Sequence, residues 1–204
     1  MAMKSMPQGT KAELRRQQLV AATARVVRRG GVDTASVRAV AEEAQVSVGS
    51  VLYYFESFDE LLRQCMANVL EEFYSNRLRV IAAPGTAAQR LAKMIELGVP
   101  DEITEDLSLL YETVAIARNS PLQQLHLSIV ERQVDLYRTL IDVGTESGEF
   151  VPRSPAGVIA QNLIALEDAY DLYPLIGVPM TGPERRSNVR SYAELALGCE
   201  LPPA

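Results

Sequence analysis

Between Thr34 and Phe55, small and hydroxyl-bearing side chains recur at helical spacing, and the chemistry such a set supplies is contact with a nucleic acid surface. Ser36 is a good N-cap, and behind it Val37, Val40, Ala41 and Ala44 repeat with a helical period. After a short break at Gln45-Val46, Ser47 caps a second helix. That helix is expected to point Val48, Val51, Leu52 and Phe55 to one side and Gly49, Ser50, Tyr53 and Tyr54 to the other. Small and hydroxylated residues on the exposed first turns of a short helix fit a DNA groove. The pattern reads as a helix-turn-helix, and the function expected from it is that of a DNA-binding regulator. Paired short helices also occur in proteins that never touch DNA, so the context has to carry weight.

Other chemistries find little support. His126 is the one histidine of the 204 residues, and no Cys or His stands near it at metal-ligand spacing. No phosphate-cradling glycine loop and no nucleophile–base–acid order is present, so an enzyme, a metal site or a cofactor is not expected. Cys65 and Cys199 provide no disulfide framework, and the first ten residues lack the apolar segment of a signal peptide. No run approaches the ~18 apolar residues that span a bilayer. A reducing cytoplasm is the expected setting.

The charge is uneven. Residues 1–55 hold eight Lys/Arg against four acids, a balance of +4, within a chain whose net charge is −6. A basic head on an acidic body suits phosphate contact at one end only, because neutralisation of a polyanion is local.

The elements that must position these residues follow from punctuation. Residues 1–10 are expected to be a disordered leader. A helix over 11–29 stops at Gly30-Gly31, with Arg28 and Arg29 placed to complement its dipole. After the two short helices, a long one runs over 59–83. Further helices are expected over 86–98, 102–118, 122–147, 156–176 and 183–198, with Thr86, Ser154-Pro155 and a Thr181/Glu184 capping box as starts. No stretch alternates with a period of two. The expected fold is all-α with nine helices, a helix-turn-helix domain over 11–58 and a helical body over 59–204.

The segment GVDTASVRAVAEEAQVSVGSVLYYFESFDELL, residues 31–62, resembles the signature of the tetracycline-repressor (TetR) family of bacterial regulators. It covers about a sixth of the chain. The body is similar to the betaine-regulator-like branch through residues 146–150 and 165–170. The resemblance implies a homodimer that binds a near-palindromic operator and leaves it when a small molecule occupies the body. Carried over by position, Ser36, Arg38, Ser47, Val48, Gly49, Ser50, Tyr53 and Tyr54 match positions that face DNA. Arg38 is the expected base reader, since a guanidinium can grip guanine through two hydrogen bonds. Ser47, Ser50, Tyr53 and Tyr54 would hold phosphates, although Tyr54 could instead pack on the fourth helix. Three departures stand out. Gln45 takes the usual place of Gly in the turn, Leu52 replaces a Tyr of the recognition helix, and Phe58 replaces a phosphate-contacting Lys.

Polar residues within apolar patterns of the body are candidate effector ligands: Tyr111, Arg118, His126, Tyr137, Asn162, Glu167 and Tyr170. Glu167, Asp168 and Asp171 form an acidic cluster that favours a cationic effector if the carboxylates face inward, since a buried anion wants a partner. The last two helices are expected to form a two-fold interface through Ile159, Leu163, Leu166, Tyr192 and Leu195. Leu52 and Phe58 keep a rival open: a helical small-molecule-binding protein whose specific DNA binding is weak or lost.

Overall fold

The computed structural model describes residues 8–118 and 120–203. Among them the chain forms nine helices and no strand: α1 (Gln8–Gly30), α2 (Val37–Glu43), α3 (Val48–Tyr54), α4 (Phe58–Ala82), α5 (Ala87–Gly98), α6 (Glu105–Ile116), α7 (Pro121–Glu146), α8 (Ala156–Leu175) and α9 (Gly182–Leu197). The all-α architecture agrees with the sequence reading, helix for helix. Of the expected leader, residues 1–7 lie outside the described residues and α1 already opens at Gln8.

Most starts are capped as the sequence indicates. Ser36 Oγ accepts from Ala39 N at 3.2 Å and Ser47 Oγ from Ser50 N at 3.1 Å. Thr86 with Gln89 and Thr181 with Glu184 close reciprocal capping boxes. One expected cap fails: Pro155 itself is the N-cap of α8 and makes no side-chain cap bond, so Ser154 lies one residue too early. α5 gains a second device. The Glu149 carboxylate accepts from Ala87 N at 3.1 Å and Ala88 N at 2.9 Å, and these backbone donors hold its pKa below the usual value.

The chain divides into two compact units. The first comprises residues up to Val69 together with Glu105–Leu125. Its core is Leu19, Ala22 and Val26 of α1, Val40 and Ala41 of α2, then Val51, Phe55, Leu61 and Cys65. Within it α6 is tied to α1, since Arg28 Nε donates to Asp106 at 2.7 Å and Val32 N to Glu112 at 3.3 Å.

The second unit comprises Leu70–Thr104 and the residues from His126 onward. Leu91, Met94 and Ile95 of α5, Tyr137, Leu140 and Ile141 of α7, Ile159 and Leu163 of α8, and Val189 and Ala193 of α9 fill its core with Phe150. Gly144 permits that packing, for a Cβ there would stand 2.2 Å from the Phe150 ring. No helix among the described residues is long and apolar enough to cross a membrane.

Candidate nucleic-acid interface

α3 is held by a narrow stripe. Val51 is fully buried and Phe55, its C-cap, is 2% exposed, while Ser50 and Tyr54 form a half-buried shoulder. The expected inward face therefore needs correction. Val48 is 41% exposed and Leu52 48% exposed, because the buried stripe is rotated toward Tyr54 and leaves both on the solvent side. Ser47, Gly49 and Tyr53 are exposed, Tyr53 the most at 80%. The outer surface of α3 is thus Ser47, Val48, Gly49, Leu52 and Tyr53.

On α2, Ser36 is spent as a cap and remains exposed. Arg38 reaches into solvent, its Nε 3.1 Å from Glu42 Oε1 in a pair exposed on both sides. Such a pair is weak and gives way easily to a better acceptor. The turn between the helices carries the one left-handed non-glycine residue among those described, Gln45 at φ 55°. A side chain in that conformation costs about 1 kcal/mol or more.

Two features were not legible in the sequence. Arg16 of α1 lies over the Phe55 ring, 4.4 Å from its centroid, and donates from Nη1 to the Tyr54 carbonyl. It pins the end of α3 to α1. Lys11 and Arg15 border a shallow groove shared with Leu14, Gln18 and Tyr54, which places two cations beside the outer face. Much of the remaining basic charge is used internally: Arg25 and Arg29 both pair with Glu43, whose pKa they depress chiefly through the Arg25 hydrogen bond. Phe58 packs against the core of this unit, so its position makes no phosphate contact of the lysine kind.

Residues 19–65 match the family model described as bacterial regulatory proteins, tetR family. BetI of Burkholderia cenocepacia is 28% identical over 199 residues, covering 96% of this chain and all of that protein. Over residues 19–65 the chain matches the TetR family, and it is similar to regulators of that family along nearly its whole length. The nicotine-responsive transcriptional repressor HdnoR of Paenarthrobacter nicotinovorans is 31% identical over 109 residues, 52% of this chain and 56% of that protein. Among solved structures, a transcriptional regulator from Saccharomonospora viridis in complex with choline has a TM-score of 0.81 at 18% identity, covering 91% of this chain and 98% of that one. A TetR regulator from Haloarcula marismortui has the same TM-score at 20% identity, covering 91% and 99%. These two likenesses concern the fold. The relatives and neighbours named here are described as transcription regulators.

The candidate effector residues scatter. Tyr111, half-buried on α6, and Arg118, exposed in the turn after it, belong to the first unit. In the second, Asn162 is exposed and donates to Tyr192 Oη at 2.8 Å, and Tyr170 stacks edge-on against Tyr173. His126 is half-buried, its pKa lowered by desolvation. Tyr137 and Glu167 are brought together, the phenol donating to the carboxylate deep in the core.

The acidic cluster is not unpaired. Glu167 accepts from Arg77 Nη2 at 2.7 Å and Asp171 from Arg185 Nη1 at 3.1 Å, while Asp168 is exposed. Both arginines are buried, and neither was foreseen. The argument from uncompensated carboxylates to a cationic effector fails for that reason. Of the expected interface residues, Ile159 and Leu163 are fully buried in the chain's own core, Leu166 and Tyr192 are half-buried, and Leu195 is 66% exposed.

Proposed function

We propose that this chain is a ligand-responsive transcriptional repressor of the TetR family that binds a near-palindromic operator as a homodimer and is released by a small molecule. The observation that carries the reading is the presentation of α3: Val51 and Phe55 anchor it while Ser47, Val48, Gly49 and Tyr53 face outward. Residues 11–58 act as the DNA-binding head and 59–204 as the effector and dimer body, working in the cytoplasm. Arg38 reads a base edge after leaving Glu42, and Ser36, Ser47, Ser50, Tyr53 and Tyr54 meet phosphates. Lys11 and Arg15 add charge contacts.

Dimerisation uses α8 and α9, where Val158 at 44% and Leu195 at 66% exposure flank Leu166 and Tyr192. A two-fold pair sets the recognition helices about one DNA turn, ~34–36 Å, apart. Neighbours named for choline and for nicotine support a body that accepts small organic molecules. Footprinting on genomic fragments retained by the purified protein tests the reading. Two protected half-sites related by a dyad are expected. Uniform, sequence-independent retention that salt erases would favour the rival, a ligand-binding protein without an operator.

A further inference from the structure

The polar cluster around Arg77 leaves one demand unmet. Arg77 is 7% exposed, and its Nη1 is buried with no hydrogen-bond partner among the described residues. Nη2 is committed to Glu167 Oε2, and the guanidinium lies 5.6 Å from the Tyr137 ring centroid. Glu167 cannot turn to serve Nη1 as well. Its Oε1 accepts from the Tyr137 hydroxyl, and the carboxylate is wedged against α5 so closely that a Cβ on Gly98 would fall 2.0 Å from Oε1. Arg185 meets more of its demand: its two terminal nitrogens are shared among Asp171 and the carbonyls of Tyr170, Pro100 and Asp101, and its Nε is the atom left without a partner among the described residues.

A buried guanidinium N–H without an acceptor is costly, and a bound water, ion or ligand is one way in which native proteins meet such a demand. Each buried carboxyl of the cluster already faces an arginine, so the surplus is donor capacity and not negative charge. We infer that the body recognises its small molecule through an acceptor oxygen, a carboxylate or amide carbonyl, received by Arg77 Nη1. The inference rests on the proposed effector role of the body and names the chemical class that role takes.

Thermal shift of the full-length protein tests it, with three matched series as probes: acetate, butyrate and benzoate, their amides, and ethylamine, butylamine and benzylamine. At least one acid or amide raises Tm by several degrees, and the matching amine does not. Binding of acids alone identifies an anion, and binding of amides as well identifies a neutral carbonyl. Arg77→Lys keeps a cation for Glu167 but removes the second nitrogen of the fork, and it weakens the active probe by about tenfold or more. Should Arg77→Lys fold poorly, Arg77→Gln serves instead: it removes the guanidinium fork altogether and also weakens the probe. No shift with any acid or amide, a shift confined to amines, or full retention in both variants overturns the inference. Operator binding measured without probes is independent of all these outcomes, so loss of the regulator reading would register separately.

Discussion

Gln45 and Arg38 show how single residues set the behaviour of the head. Gln45 holds φ 55° in the turn where glycine would be unstrained. Replacing it, Gln45→Gly, is expected to stabilise the protein by about 1 kcal/mol, read as a higher urea midpoint; a lower midpoint would mean that the side chain contributes contacts exceeding the strain. Arg38 is 83% exposed and held only by a surface pair. Arg38→Ala is expected to weaken operator binding by ~1–3 kcal/mol and to relax preference at one position per half-site, with fold stability unchanged. The positions of the hydroxyl and small residues were legible from spacing alone. Arg16, Arg77 and Arg185 were not, because their partners lie 38, 90 and 14 residues away and no local period announces them.

At the level of helices, punctuation served well and facing served less well. Capping residues and Gly or Pro breaks act within one turn, so Thr86, Thr181 and Ser47 could be read directly. The face of α3 could not, because seven residues define a stripe poorly and Leu52 falls on its solvent side. The same limit applies to α8, which is apolar on several sides: Ile159 and Leu163 turn into the core that the chain builds for itself. Close approach of α5 to α8 depends on Gly98. Gly98→Ala drives a methyl group into the carboxylate of Glu167, which Arg77 and Tyr137 hold in place. A loss of about 1–3 kcal/mol is expected by urea unfolding, and an unchanged midpoint would show that the cluster can shift.

Charge distribution governs the molecule as a whole. Burial, opposed by Arg185, pushes the Asp171 carboxyl from 3.8 up to about 8, with Glu167 and Asp168 adding to the rise and Arg77 opposing it. The folded chain therefore binds this proton more tightly than the unfolded chain. The stability it contributes is complete below the unfolded value and is lost as pH rises through about 8. Urea midpoints between pH 5 and 8.5 should fall in the wild type and fall less in Asp171→Asn; equal slopes would contradict that assignment.

Within the basic head Arg25 and Arg29 pair with Glu43 and Arg38 with Glu42, while Arg28 pairs with Asp106 of α6, which leaves Lys11 and Arg15 as its readiest cations among the described residues. With Phe58 where the resembled signature carries a lysine, a dimer of the proposed kind would lack about two phosphate contacts from a typical ~6–10, so its salt slope should be shallow. The decisive measurement is fluorescence anisotropy with the DNA upstream of the chain's own gene, against a scrambled duplex, at two salt concentrations. The account predicts nanomolar binding to the upstream fragment, at least a hundredfold weaker binding to the scrambled one, and loss of that preference in Arg38→Ala. Equal affinity for both duplexes, vanishing together as salt rises, would contradict it.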